Sequence, residues 1–319
     1  MARLYVEPSP RNVHGNFSRE HEPILTIDSG DTVVFRTLDA SWQVKARTSL
    51  SEAPEYMPAE PSDKKRGNGH CLCGPIAING AKAGMTLEIE IGEILCGSWG
   101  WTGSGGWPHW IHQKLGTDKV ESKFLWALDS STGVGRNQHG HEVRLRPFMG
   151  VMGMPPDEPG THLTAPPRVV GGNLDCKELV TGTRLYLPIA VDTALFSVGD
   201  GHARQGDGEV CVTAIECPMD RVELTFHLHP SMKISAPRAR IADAWLTMGL
   251  DEDLDEACVQ AVSGMIDLMV ELHPELDRET CLALASVVVD LHVTQIVNGT
   301  KGVHAILRDD AIRYPAVAK

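Results

Sequence analysis

Between Ser197 and Val210 the chain reads Ser-Val-Gly-Asp-Gly-His-Ala-Arg-Gln-Gly-Asp-Gly-Glu-Val. Asp200, His202, Gln205, Asp207 and Glu209 therefore alternate with four glycines. Carboxylates and imidazoles are ligands for divalent cations, and the same groups take and return protons near neutral pH. Glycine lets backbone approach a ligand closely or adopt left-handed geometry. An acidic hairpin would explain the Asp-Gly pairs, but not a His, a Gln and a Glu packed beside them. The segment lies after Ala194-Leu195-Phe196 and before Val210-Cys211-Val212. It is read as a functional loop between two strands.

Other residues offer less. His70-Cys71-Leu72-Cys73 places three soft ligands within four residues, but a structural zinc site needs a distant second pair, and none is present. Asp39 ends a β-rich run, where a lone Asp is usually a turn former. His139-Gly140-His141 and His227-Leu228-His229 would each point to one face of a strand, as a metal site or a plain exposed face requires. GxSxG, HExxH, P-loop and GxGxxG patterns are all missing from the sequence. Cys211 is the one cysteine beside the acidic loop, and its apolar, β-branched flanks favour packing over nucleophilic chemistry.

The elements that hold these residues are mostly strands. Asp28-Ser29-Gly30-Asp31 turns into the β-rich run Thr32–Arg36. Gly80–Gly84 turns into the alternating Met85–Ile91, and Gly182 precedes Arg184–Pro188. Period-two alternation marks half-buried strands. After Pro237, Leu254, Cys258, Ala261, Met265, Leu268, Met269 and Leu272 recur at helical spacing. Pro274 ends that run, and Asp277 is placed to cap a second helix through Leu282, Ala285, Val288, Val289 and Leu291. Residues 236–300 are thus expected to be a helical segment packed on the β body. The expected fold is α+β and mainly β, a sandwich- or barrel-like body with a C-terminal helical segment. Its divisions are a β-rich lobe over 1–145, a second over 146–235 carrying the acidic loop, and 236–319 with the helices and a C-terminal strand and tail. Segments 49–69, 97–110 and 155–172 read as loops, the usual material of lids and site walls. The second holds Trp99, Trp101, Trp107 and Trp110, an aromatic wall for a small pocket.

Composition narrows the partners. Lys and Arg number 29 against 42 Asp and Glu, a formal charge of −13. That field repels phosphate backbones and anionic lipid surfaces, so neither nucleic acid nor membrane is an expected partner. No run approaches the roughly 20 apolar residues of a membrane span, and no export signal is visible. Most of the eight cysteines sit in apolar stretches, as in a protein of the reducing cytoplasm.

Taken in order, several strings resemble the acetamidase/formamidase family. They are the Gly30-Asp31-Thr32-Val33 strand start followed by Asp39, and His70 before Gly74-Pro75. Then come Arg146–Gly153, Gly171-Gly172-Asn173-Leu174-Asp175 and Leu185–Pro188. The acidic loop and Thr294–Asn298 with Gly302–Ala305 complete the series. The resemblance runs over most of the chain. It implies hydrolysis of formamide, acetamide or similar short amides, lactams among them, to a carboxylate and ammonia. It also implies a cytoplasmic homodimer or higher oligomer and a divalent metal, zinc or in some members calcium, that activates water. The matching positions are Asp39, His70, Asp200, His202, Gln205, Asp207 and Glu209. On that basis Asp39, His70 and His202, with Asp200, are expected at the metal. Glu209 or Asp207 is expected to move the proton, with Gln205 beside them, and Trp99, Trp101 and Gln295 to meet the substrate. The family more often has Pro and then Ser or Thr where Cys71 and Cys73 stand, and the Trp-rich stretch is individual. Two rival readings are a nitrilase-like amidase using Cys211 and a non-catalytic β-protein that binds a metal or ligand.

Overall fold

The structure is a computed structural model that describes residues 1–58, 67 and 69–313. Part of the loop read over 49–69, and the end of the tail read after 313, lie outside the described residues. Among the described residues the strands form three sheets. The largest has nine strands, in the spatial order Arg3–Val6, Thr32–Thr37, Met219–His229, Thr86–Cys96, Arg184–Pro188, Arg238–Ile241, Ala244–Asp251, Lys301–Arg308 and Val289–Gln295. All three turn-strand units read from the sequence lie in this sheet, because each has an apolar face to bury.

A six-stranded sheet carries Gly171–Asn173, Phe148–Gly153, Phe196–His202, Leu72–Ile78 and Val13–His14 in that order, with Leu25–Ile27 also pairing Leu72–Ile78. Its central strands are buried along their whole length. Phe196 of this sheet meets Phe226 of the large one edge-on, with ring centroids 5.1 Å apart. The two sheets therefore share one core, and the mainly β fold with C-terminal helices is as read.

Two expectations over element type need correction. Residues 236–300 are not a purely helical segment, because strands Arg238–Ile241, Ala244–Asp251 and Val289–Gln295 belong to the large sheet. The helix Leu254–Leu272 does pack its Ala261, Met265, Leu268 and Met269 face on that sheet. Asp253 caps it by accepting from the amides of Asp255 and Glu256. Gly249 makes the approach possible, since a Cβ there would collide with the Ala257 carbonyl. Asp277 caps the second helix, Arg278–Val288, but Val289 and Leu291 have already passed into a strand. The β-branched run Val287-Val288-Val289 stops the helix where pairing to Lys301–Arg308 becomes available.

The segment 97–110 is likewise not all loop. Trp99–Ser104 is a strand of a four-stranded sheet that continues through Ser122–Asp129, Val134–Asn137 and Glu142–Arg144. Gly100 lets this strand lie against the chain at Glu216; a Cβ there would stand 2.7 Å from the Glu216 carbonyl oxygen.

Candidate metal and active site

The acidic string divides in two. Phe196–His202 is a buried strand, so Asp200 and His202 project from rigid backbone, Asp200 at a φ of 59°. From Ala203 the chain loops out. The strand expected at Val210-Cys211-Val212 does not form; Glu209 and Val212 adopt φ values of 45° and 76°, and the chain turns. This turn aims Glu209 back at the strand.

His202 is the centre of the cluster. Its Nε2 lies 3.3 Å from Asp200 Oδ1 and 3.4 Å from Glu216 Oε2, and all three side chains are buried. Its Nδ1 is 2.9 Å from Gln205 Oε1, while Gln205 Nε2 donates to the Asp175 carbonyl. Gln205 is thereby fixed with its oxygen towards the ring, so Nδ1 is the donor and Nε2 is free to act as a ligand. His202 Nε2, Glu216 Oε2 and Asp175 Oδ1 are buried with no hydrogen-bond partner. Buried polar atoms are rarely left so. Two overlapping ligand groups meet here, Asp175 with Asp200 and His202, and His202 with Glu209 and Glu216.

The electrostatics describe a site short of positive charge. Burial lifts Asp175 to about 7, with Asp200 adding to the rise. Burial also pushes Glu209 well up and Glu216 up. Asp200 goes the other way: burial raises it, but the imidazoles of His202 and His70 outweigh that and hold it low. Burial lowers His202, and the carboxylates of Glu216 and Asp200 overcome this to raise it well above an ordinary histidine. His202 Nε2 stands 3.3 Å from the Asp200 oxygen and 3.4 Å from the Glu216 oxygen. That matches the roughly 3.4 Å edge of a tetrahedron of ligands about 2.1 Å from a zinc-sized ion. The donor set and its orphaned atoms fit a divalent cation.

A cavity of about 710 Å³ opens beside this cluster, lined by Asp200, Glu209, Glu216, His70, Trp42 and Trp101 among others. His70 is half-buried, its Nδ1 2.9 Å from Thr164 Oγ1. Asp39 is buried close by, but both its oxygens are engaged. Gln43 N donates to Oδ1 at 2.6 Å, and Gln43 Nε2 and Trp101 Nε1 donate to Oδ2 at 2.8 and 2.7 Å. Burial lifts its carboxyl to about 6.

Other expected site residues sit elsewhere. Asp207 faces away from His202, bound by Lys177 Nζ at 2.7 Å and by His292 Nδ1 at 3.2 Å. Gln295 is fully buried and braces its own turn, donating to the Thr300 carbonyl and accepting from the amides of Val297 and Asn298. Trp99 lines a different surface hollow, Trp107 packs edge-on against His112, and Trp110 is exposed. Of the four tryptophans, Trp101 reaches the cavity. Cys211 donates to the Thr213 carbonyl. Two members of the cluster were not singled out from the sequence as site residues, Glu216 and Asp175. Asp175 was visible only within the Gly-Gly-Asn-x-Asp string, and Glu216 carried no signal, being a single acid between Ile215 and Cys217.

Comparison with known proteins follows the same lines. Residues 158–307 match the model of the Acetamidase/Formamidase family. The formamidase of Methylophilus methylotrophus is 51% identical over 47 residues, 15% of this chain and 12% of that protein. A Schizosaccharomyces pombe relative whose name includes the word formamidase is 26% identical over 255 residues, 62% of this chain. The chain thus spans about 60% of that relative's length. Among solved structures, the acetamidase from Bacillus halodurans superposes with a TM-score of 0.82 at 29% identity, covering 95% of this chain and 97% of that one. The γ-lactamase from Delftia acidovorans shares the fold, with a TM-score of 0.60 at 18% identity over 98% and 95% of the two chains. In sequence over residues 158–307, and in fold over nearly its whole length, this chain resembles the acetamidase/formamidase family.

Proposed function

We propose that this chain is a divalent-metal-dependent amidase that hydrolyses the C–N bond of a small amide to a carboxylate and ammonia. The observation that carries this reading is the convergence of His202 Nε2, Asp200 Oδ1 and Glu216 Oε2 beside a cavity, two of the three atoms being buried without partners. Those three side chains would hold the ion, with Asp175 behind them. Such an ion polarises an amide carbonyl and makes water nucleophilic near neutral pH.

The chain's own groups do the rest. Glu209 lines the cavity within the same cluster, and burial keeps its carboxyl basic enough to take a proton from attacking water. The same carboxyl then returns the proton to the amide nitrogen, which leaves as ammonia, because an amide anion is a poor leaving group. Gln205 holds the His202 ring in register. Asp39 is a positioning residue: it anchors the Trp101 indole that walls the cavity. Relative to the expectation from sequence, this reading puts Glu216 in place of Asp39 among the ligands, leaves His70 in the cavity wall, and gives the proton transfer to Glu209 rather than Asp207.

A neutral substrate suits a cavity lined by three carboxylates, Asp200, Glu209 and Glu216, and otherwise mainly by uncharged hydroxyl and amide groups, aromatic rings and the His70 imidazole. Its volume of about 710 Å³ exceeds what formamide needs and favours a bulkier amide or a γ-lactam as a second reading. The test is ammonia or ring-opened product from formamide, acetamide, longer amides and γ-lactams, before and after chelation. Turnover abolished by chelation and restored by zinc supports the proposal. Turnover indifferent to chelation overturns it.

One consequence is measurable without any substrate. Asp39 rises from 3.8 to about 6 on folding, and Asp175 to about 7. A carboxyl raised in the folded state adds stability that is complete below its unfolded value and is lost as the pH climbs through its folded value. The raised His202 acts in the same direction, and the low Asp200 is already ionised throughout this range. Metal-free protein is therefore expected to melt lower at about pH 8 than at about pH 5, with Asp39 alone accounting for about 1.4 kcal/mol, since pH 5 lies about one unit below its folded value. Metal-loaded protein should show a smaller drop, because the ion offsets the carboxylate charge. Thermal melts at both pH values, with and without zinc, check this; equal drops would count against a metal among these carboxylates.

A further inference from the structure

On the far side of the Asp175 turn from His202's cluster, a second group of ligands gathers that the amidase reading does not use. Asp175 sits at a φ of 49°, and the next residues, Cys176 and Glu178, are buried against the C-terminal strand Lys301–Arg308. There His304 is completely buried. Its Nδ1 is 2.7 Å from Thr294 Oγ1, and its Nε2 has no hydrogen-bond partner. Nε2 stands 3.5 Å from Glu178 Oε2, and Cys176 Sγ stands 3.8 Å from the same oxygen. The three ligand atoms lie within 4.8 Å of one another.

We propose that Cys176, Glu178 and His304 form a second metal site, which takes a zinc-like dication and ties the C-terminal strand pair to the turn that carries Asp175. The spacings are those of neighbouring ligands around a small tetrahedral ion, for which nitrogen-to-oxygen edges are about 3.3 Å and sulfur-to-oxygen edges about 3.5 Å. The ligand chemistry is a thiol, a carboxylate and an imidazole, the types zinc selects. Thr294 Oγ1 engages the ring at Nδ1; when it accepts from Nδ1–H, the Nε2 lone pair is left for an ion beside Glu178, the usual arrangement behind a histidine ligand. Burial holds His304 down to about 3, so the ring is neutral and available.

Charge also balances. Binding displaces one proton from the Cys176 thiol to solvent, and the resulting thiolate and the Glu178 carboxylate neutralise the two positive charges. Arg146 lies 3.6 Å from the other carboxylate oxygen, Oε1, and leaves Oε2 to the ion. His292 stacks on His304 with planes 5° apart, so the two rings cannot converge on one ion, which lies near the plane of each ring it binds. Asp207 gathers with His292 and His304 rather than with Cys176 and Glu178, and Lys177 engages it at 2.7 Å, so a fourth position at this site falls to solvent.

The site's place in the fold gives it a purpose. Thr294 accepts the Gly208 amide through its carbonyl, and Asn298 Nδ2 donates to Asp175 Oδ2 at 2.8 Å. An ion at His304 would lock this C-terminal segment, the 208–209 turn and the Asp175 turn together. It would thus position Asp175 and Glu209 from behind without touching substrate.

Cobalt(II) reports the difference between this site and the His202 cluster, because a thiolate ligand gives an intense charge-transfer absorption and the His202 cluster contains no sulfur. Chelator-stripped wild type, Cys176→Ser, Glu178→Gln and His202→Ala are titrated with cobalt(II) and analysed for bound metal. Wild type should develop the thiolate band. Cys176→Ser should lose the band and bind one ion fewer per chain, and Glu178→Gln should weaken the same band if the serine variant fails to fold. His202→Ala should keep the band, whatever becomes of its amidase activity, so the two sites fail separately. No thiolate band in wild type, or a band that survives Cys176→Ser, overturns the proposal and leaves a buried thiol donating to Glu178.

Discussion

Glu209→Gln is expected to cut amide hydrolysis by about 10²- to 10⁴-fold with bound metal unchanged, whereas His202→Ala should remove activity and metal together. The contrast follows from what each side chain faces. His202 is common to both ligand groups, and its Nε2 is within 3.4 Å of two carboxylates. Without it, Asp200 and Glu216 become like charges in a buried space, and their affinity for protons replaces their affinity for the ion. The Glu209 carboxyl, unlike its backbone, is engaged by no hydrogen bond among the described residues, and it lines the cavity, as a proton carrier must. Gln at this position keeps the volume and loses the titration. Metal content by elemental analysis, read beside ammonia release, checks both arms. If Glu209→Gln lost metal and Glu216→Gln kept it, the two acids would exchange roles: Glu209 would be the ligand and Glu216 the base.

From sequence the proton carrier is a choice between Glu209 and Asp207, and Glu216 does not enter it. Asp200 and His202 stand out by residue type in a glycine-rich string that reads as a loop, whereas the structure places both at the end of a buried strand. Glu216 does not stand out. It reaches His202 because its backbone pairs with Trp101 on one side and His202 on the other, which joins the four-stranded sheet to the six-stranded one. Nothing local in Ala214-Ile215-Glu216-Cys217 announces that pairing. Asp207 lies apart from His202, against Lys177 and His292, for a different reason. It sits in the same string as Glu209, but the intervening Gly208 has a φ of 91° and the turn sends the two carboxylates in different directions. Spacing alone reports faces only where the backbone is regular.

The same contrast holds for the fold. The strands after Asp28–Asp31, Gly80–Gly84 and Gly182 were legible, because turn residues and alternating apolar residues coincide there. The strand Trp99–Ser104 was hidden by its glycines, which read as loop and serve instead for close contact with the chain at Glu216. Val289–Gln295 was hidden by its apolar residues, which continue the helical spacing of the preceding turn. Only the partner strand, remote in sequence, decides between the two periods.

Gly150→Ala should reduce turnover by about 10²-fold or more, although Gly150 itself carries no functional group. Its strand neighbours Met149 and Val151 pair with Gly201 and Gly199, so Gly150 lies across from Asp200. A Cβ there would stand 2.5 Å from Asp200 Oδ2, 2.8 Å from Asp175 Oδ1 and 2.8 Å from His202 Cε1. Each distance is below contact, and all three neighbours are members of the proposed metal cluster, so the added methyl must displace ligands rather than backbone. The strand is fully buried and its ladder passes on both sides, so the fold itself should survive with an overpacking cost of about 1–3 kcal/mol. Displacing a reacting group by about 1 Å is enough for a loss of the size expected. Circular dichroism, metal content and turnover measured on one preparation separate the possibilities. A folded variant with weakened metal binding and low turnover places the chemistry at Asp200, Asp175 and His202. A folded variant with full activity would mean that those three side chains can move apart without consequence, and the proposed centre would have to be sought elsewhere along the cavity.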